Sequence, residues 1–349
     1  MNVLYLGHYR ENTQLGNSSK RFIQGLIRKD INLSIRPLFY WQECNEKFSN
    51  FQHLEQNSSD KYGCVIQHTL PIMFSYNKDL GKNIGVVDLE TQGISHSSVV
   101  DYLKLMDTIY VRSKYSYLSI KDLIPKIKVV HEPFDPIENY DTQKQETFKF
   151  FAEGNFENRY DLEKIILAFL SEFDNESTVQ LILNVSTSNQ DVSSTINKIY
   201  NKLRIIQKHN NNKIVVITNQ LTGEQKDELL KTIDCAINID KADSNGLFTI
   251  ENLLYKNLVI TQKQSASCDF INEDNGLLVD SFSSNVDMNK QYDNSIHSMY
   301  EYWYEADFTS LKQKMREACT LSTAALKLKK INIDDSNFSY TNFVESVLC

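Results

Sequence analysis

Apolar residues recur along this chain in two alternating rhythms: short continuous runs, and longer segments with one apolar face at helical spacing. Residues 2–7 are an apolar run ending in glycine and predict a buried first strand. Residues 18–29 place Phe22, Ile23, Leu26 and Ile27 on one helical face, with Ser18 or Ser19 as the N-cap. Strands are expected at 33–38, 63–67, 83–87, 108–112 and 127–130. Between them, helices are expected at 99–106 and at 113–123, the second capped by Ser113.

The rhythm lapses over the polar stretch 138–147, which reads as a linker. All five prolines lie at or before position 136. The rhythm then restarts, with strands at 148–152, 179–185, 213–218 and 235–239. The helices here are 162–173, with Ile165, Ile166, Phe169 and Phe173 on one face, then 193–208, and one opening at Thr222-Gly223-Glu224-Gln225 and running to Leu230. A last helix is expected from 310 to about 329. The aromatic cluster Tyr300–Tyr304 reads as a helix packed at a domain interface rather than as a sugar-stacking platform. Strands alternating with helices, twice over, predict an α/β protein of two Rossmann-like doubly wound domains facing across a cleft. The expected divisions are 1–140, 141–330 and a C-terminal segment 331–349 packing back toward the first domain.

Composition narrows the function classes. At 349 residues the chain suits two domains, and 41% hydrophobic with 23% charged residues is a globular balance. A net charge of −8 counts against a polyanion such as nucleic acid as partner, while leaving room for a local basic groove and for peripheral membrane contact. The N-terminus lacks the basic and apolar regions of a signal peptide, and no apolar run is long enough to span a bilayer. The six cysteines include no Cys-x-x-Cys pair, so a reducing, cytoplasmic setting is expected and a zinc site is not.

Candidate chemistry concentrates in 243–261. Seven residues separate Asp243 from Glu251, Gly246 among them, and the β-branched run 258–261 follows. This reads as a loop opening a helix, then a strand. It offers the backbone N–H groups of Gly246, Leu247 and Phe248 at a helix start, where an anion is stabilised. Spacing alone equally suits a loop acid and a solvated helix acid. No Asp-x-Asp occurs, so a metal–diphosphate clamp is not expected, and Asp240 and Asp243, three apart, read as a loop with one solvated aspartate rather than as a pair of metal ligands. Glu90 and His96 follow a strand end, where ligands bind in such folds, and are also plausible as ordinary loop residues.

In collinear order these segments resemble the retaining GT-B glycosyltransferases of the family-4 type. Asp243-Ser244-Asn245-Gly246-Leu247, three residues, then Glu251-Asn252 stands where that family reads Glu-Gly-Phe-Gly-Leu, three residues, Glu-Ala. Asn275-Gly276-Leu277-Leu278-Val279 matches its Asn-Gly-Leu-Leu-Val, and Phe151 to Tyr160 is similar to the start of its donor domain. Met106–Ser113 and Lys126–Pro133 resemble its last strands before the linker. The chain departs from the family in the shortened acid Asp243, in Ser244 and Asn245, and in Tyr160 after Arg159.

The resemblance implies transfer of a sugar from a nucleotide-diphosphate sugar, a co-substrate rather than a cofactor, with retained configuration and without a metal. It assigns Arg159 to the phosphates, Asp243 to sugar hydroxyls, Glu251 to the ribose and the loop bearing Asn219 to the base. It also brings the turn at Gly16 near the donor phosphates, and Glu90 and His96 to the acceptor side. The acceptor class stays open among glycan, lipid-linked and small-molecule acceptors. A transferase for nucleic-acid bases shares the architecture, and a chain that keeps the fold without turnover is the non-enzymatic alternative.

Overall fold

The computed structural model describes residues 1–11, 13–39, 51–135, 146–157, 159–173, 176, 178–186, 192–202, 213–287, 297–298, 300–321 and 339–347. The chain forms two compact units. The first comprises Met1–Pro136, Asn285–Tyr302 and Asp334–Cys349, and the second Ile137–Ser284 and Trp303–Ile333. The proposed linker at 138–147 lies mostly outside the described residues.

In the first unit, strands β1 (Asn2–Gly7), β2 (Asn32–Pro37), β3 (Cys64–His68), β4 (Lys82–Val87), β5 (Thr108–Val111) and β6 (Ile127–Val129) form one parallel sheet in the order β2-β1-β3-β4-β5-β6. Side chains alternate across its faces. Tyr110 joins a core layer with Val3, Tyr5, Phe22 and Ile66, while its neighbours Ile109 and Val111 join Leu103 and Ile120 in another. Helices α1 (Gln14–Ile27), α2 (Gln52–Gln56), α3 (Val99–Lys104) and α4 (Lys114–Ile120) supply much of the cover. Ser113 caps α4 as expected, its side chain accepting from the Ser116 N–H.

One boundary is corrected. Helix α1 starts earlier than expected, because Thr13 caps it by accepting the Gly16 N–H at 3.0 Å. Ser18 and Ser19 therefore lie buried inside the helix. Gly16 is a helical residue, not part of a preceding turn. A Cβ there would sit 2.2 Å from the Glu11 carbonyl oxygen, so glycine is what lets α1 pack directly on the loop after β1.

The second unit repeats the plan. Strands β7 (Phe148–Gly154), β8 (Val179–Val185), β9 (Ile214–Ile217), β10 (Cys235–Asn238), β11 (Leu258–Gln262) and β12 (Leu277–Val279) form a parallel sheet in the order β12-β11-β10-β7-β8-β9. Its helices are α5 (Leu162–Phe173), α6 (Val192–Lys202), α7 (Gly223–Leu230), α8 (Leu247–Leu254) and α9 (Phe308–Thr320). Thr222 and Gln225 form the reciprocal capping box that starts α7. The predicted extensions of α6 to 208 and α9 to 329 run into residues outside those described.

The aromatic cluster is a strand, not the expected helix. Residues Tyr302–Ala306 form β14, which pairs with β13 (Ser281–Asn285) in a two-stranded sheet. Trp303 and Ala306 are buried while the aromatic side chains beside Trp303 are only partly covered, a pattern that aromatic strand-formers satisfy. A final helix, α10 (Tyr340–Ser346), packs on α1 within the first unit. Phe343 meets Phe22 edge-on at 4.7 Å, and the Arg28 guanidinium lies 3.4 Å from the centre of the Tyr340 ring. Among the described residues, no helix is long and apolar enough to cross a membrane.

The α10 contact rests on Gly25, where a Cβ would fall 2.3 Å from the Phe343 ring. Gly25→Ala should therefore destabilise the first unit by about 1–3 kcal/mol through overpacking, despite alanine's better helix propensity. An unchanged urea-unfolding midpoint would show that α10 yields freely.

Candidate functional site

A doubly wound sheet has a switch point, where successive crossovers leave in opposite directions and open a crevice at the carboxyl ends of two neighbouring strands. In the second unit these strands are β7 and β10. The segment after β7 carries Arg159, and the segment after β10 carries Asp240 and Asp243. The two are tied by backbone, since the Lys241 N–H donates to the Arg159 carbonyl at 2.8 Å.

A closed ring of four charges holds the same two loops. Lys241 Nζ lies 2.9 Å from Glu305 and 3.5 Å from Asp161. Lys164 Nζ lies 2.7 Å from Asp161 and 3.5 Å from Glu305. Lys241 is buried and sits 5.5 Å from the Trp303 ring centre. Burial works against ionising Glu305, but Lys241 and Lys164 outweigh it and hold its carboxyl below the usual range. Asp161 takes a left-handed backbone (φ 52°), a costly conformation for a non-glycine residue that the two lysines help to retain. The ring thus fixes the Arg159 loop.

Asp243 is turned into its own loop. One carboxylate oxygen accepts the Gly246 N–H at 2.8 Å. The other accepts from the Ser267 hydroxyl at 2.7 Å and from the Asn238 amide at 3.2 Å. Burial raises its pKa, the hydrogen bonds oppose that, and the net shift is upward. Gly246 caps α8 in the left-handed region (φ 68°), and a Cβ there would meet the Phe270 ring at 2.6 Å. The Leu247 N–H donates to the Asn245 side chain at 3.3 Å. Two of the three amides expected to face an anion are therefore already engaged within the loop. The third residue, Phe248, has its ring 5.4 Å from that of Phe151.

Glu251, on α8, pairs with Lys226 of α7 at 2.7 Å, and Lys226 also reaches Glu153 near the end of β7 at 3.3 Å. Burial disfavours the ammonium, but the two carboxylates outweigh it and raise the Lys226 pKa. Asn184 adds a hydrogen bond to Glu153 at 3.2 Å. Asn219 is exposed just past β9, two strand spacings or roughly 10 Å from β7. Among the described residues, no group of three or more His, Cys, Asp or Glu side chains is arranged to hold a metal ion.

The remaining predicted residues belong to the first unit. Glu90 lies beyond β4, its carbonyl accepting from the Tyr115 hydroxyl at 3.3 Å. His96 is exposed on a short 3-10 turn, with its ring 4.9 Å from Tyr300. The switch point of this unit, at the ends of β1 and β3, holds a buried network that sequence reasoning missed. His8, after β1, contacts Thr69, after β3, at 2.7 Å through Nε2, and Glu11 at 3.1 Å through Nδ1. Arg112 binds Ser18 at 2.7 Å and pairs with Glu132, which also pairs with Arg21. Burial alone would raise the Glu132 pKa, but the two guanidiniums reverse this and lower it. The Tyr5 hydroxyl meets His68 Nδ1 at 2.8 Å. Burial, then Arg112 and His8, push the His68 pKa far down, so the imidazole is neutral. Partners in this network stand as far apart in sequence as Ser18 and Glu132, and no local spacing announces them.

No protein-family model matches the sequence, and no curated protein matches it at sequence level. Solved structures do match along the whole chain. Anabaena HepE in complex with UDP-glucose aligns with a TM-score of 0.66 at 12% identity, over 99% of this chain and 97% of that one. The E. coli trehalose-6-phosphate protein bound with UDP-2-fluoro glucose gives 0.66 at 10% identity, over 99% and 97%. A Staphylococcus aureus TarM mutant in complex with Fondaparinux, alpha-GlcNAc-glycerol and UDP gives 0.59 at 13%, over 81% of this chain and 54% of that one. At such identities the likeness defines the fold. The chain has the two-domain α/β GT-B fold, as the motif order implied.

Asp243→Ala should cost about 1–3 kcal/mol, because it strips the partner from the Gly246 N–H and two side-chain donors at the start of α8. A melting temperature equal to wild type would contradict that structural role. His131, bonded to the Arg112 carbonyl at 3.0 Å, has its pKa lowered to about 4, chiefly by burial. A depressed histidine pKa means that the unfolded chain takes up the proton first. Its contribution is complete above the unfolded value near 6.5 and is lost as pH falls from there toward about 4, at up to about 1.4 kcal/mol per pH unit. The pH dependence of unfolding should be shallower over that window in His131→Asn, and identical profiles would refute the assignment.

Proposed function

We propose that this chain is a nucleotide-sugar-dependent glycosyltransferase that moves a sugar from a UDP-sugar to a glycan, lipid-linked or small-molecule acceptor, with retention and without a metal. The observation that carries this reading is the convergence of Arg159, the Asp240–Gly246 loop and the Lys226–Glu251 pair around the β7/β10 switch point of a GT-B fold. Structural neighbours of that fold hold UDP-glucose and UDP-2-fluoro glucose.

The chemistry follows from where charge develops. As the bond between the anomeric carbon and the phosphate oxygen breaks, negative charge accumulates on the diphosphate. Catalysis then needs positive groups held in place before the reaction starts. Arg159 supplies a planar guanidinium for that task, on a loop made rigid by the Lys241–Asp161–Lys164–Glu305 ring. The N-terminal end of α8 adds a favourable dipole. Glu251, oriented by Lys226, is the acceptor for ribose hydroxyls. The loop bearing Asn219, exposed past β9, is free of packing demands and suits contact with the base. Metal independence is supported by the lack of an Asp-x-Asp motif in the sequence. Among acceptors, a nucleic acid is the least favoured at a net charge of −8.

A thermal-shift series with UDP-, GDP- and ADP-sugars identifies the nucleotide, since a ligand that binds the folded state alone raises its melting temperature. Release of free nucleotide from the stabilising sugar donor should then be detectable even without acceptor. Arg159→Ala should lower its kcat/KM about 100-fold or more while leaving the fold intact. Stabilisation without any turnover would mark a binding subunit. No stabilisation by any nucleotide sugar would sink the transferase reading.

A further inference from the structure

Two acids follow β10 at the switch point, and their surroundings differ in kind. Asp243 has both carboxylate oxygens occupied by Gly246, Ser267 and Asn238. Asp240 is held by its backbone on both sides: its N–H donates to Asn238 Oδ1 at 3.4 Å, and its carbonyl accepts from the Gln262 amide at 2.8 Å. Its carboxyl group makes no hydrogen bond or ion pair among the described residues, although it is only partly exposed. A carboxyl that the protein itself leaves unengaged is open to a ligand's donors.

The charges around Asp240 say which kind of donor. Asp243, Glu153 and Asp161 act on it as like charges, and Arg159 is the guanidinium that opposes them. Burial together with those acids pushes its pKa well up. A phosphate would be repelled by the acids gathered around it. Neutral hydroxyls are not, and they can both donate to it and accept from it. With the diphosphate on Arg159, the group next along the donor is the sugar ring.

Resting on the transferase reading above, we propose that Asp240, not Asp243, supplies the carboxyl that binds the donor sugar's hydroxyls and so sets which sugar is accepted. Asp243 serves instead to shape the loop that carries it. This reassigns the sugar-reading role by three positions, from a saturated side chain to an unsatisfied one.

Calorimetric titration of the 349-residue protein with UDP and with UDP-glucose, UDP-galactose and UDP-N-acetylglucosamine tests this directly. For the tightest UDP-sugar, Asp240→Asn and Asp240→Ala should weaken binding at least tenfold while changing UDP affinity less than threefold, and should flatten the preference among the three sugars. Asp243→Asn should lower the melting temperature yet keep the ratio of UDP-sugar to UDP affinity within threefold of wild type. The inference fails if both Asp240 variants keep that ratio, or if the loss appears in Asp243→Asn alone. Asp240→Asn nearly preserves shape and replaces a titratable group crowded by acids with a neutral one, so it should fold at least as stably as wild type. If wild type binds neither UDP nor any UDP-sugar, the UDP-sugar reading itself falls and the inference with it. UDP binding with no effect at Asp240 removes the inference alone.

Discussion

Both large sheets consist only of parallel strands, and a parallel neighbour can be reached only by a crossover that carries the chain back to the same sheet edge. Every loop that follows a strand therefore emerges on one side of its unit. Where the crossovers change direction, at β1/β3 and at β7/β10, no helix lies over the junction and polar groups can gather. The placement of Arg159 near Asp240, and of His8 against Thr69, follows from that topology. Neither pair is close in sequence.

The two switch points use this opportunity differently. In the first unit the junction is filled from within: Arg112, Glu132, Arg21 and Ser18 pair among themselves, with only the Arg112 Nε left unbonded, and His8 is held between Glu11 and Thr69. Removing one partner from such a network leaves a charge buried and uncompensated, so its main consequence is a rigid loop after β1. In the second unit the rigid part is displaced to the flanks. The Lys241 ring and the Glu153–Lys226–Glu251 triad hold the loops that follow β7 and β10, while the Asp240 carboxyl has no hydrogen-bond or ion-pair partner among the described residues. Preorganisation of the surroundings combined with an unsatisfied centre is the arrangement expected of a binding site.

Much of the fold is legible from local pattern. Strands β3, β5, β10 and β11 are buried along their length, and each shows a short apolar or β-branched run that marks it. The capping signals at Ser113 and Thr222 mark real helix starts. Legibility fails where tertiary context decides. Thr13 rather than Ser18 begins α1, since Gly16 permits a close approach that no propensity encodes. The Tyr302–Ala306 strand owes its state to pairing with a segment placed beside it by the fold. At the β7/β10 switch point, motif order points to Arg159, Asp243 and Glu251, but Lys226, Glu153 and Lys241 look like ordinary surface charges until the sheet order brings them together.

The shortened acid at 243 links these observations. With one methylene fewer than glutamate, its carboxylate is the right length to accept the N–H three residues on, the local bond that aspartate makes at helix starts. Ser267 and Asn238 then take the other oxygen, and Thr249 joins them at 2.6 Å from Ser267 and 3.1 Å from Asn238. That saturation fixes Gly246 in its left-handed turn and sets the direction in which α8 leaves the sheet. It also withdraws the residue from any ligand. A loop that gains its rigidity this way must present a different group for recognition, and Asp240, anchored at both its N–H and its carbonyl, meets that requirement without further rearrangement.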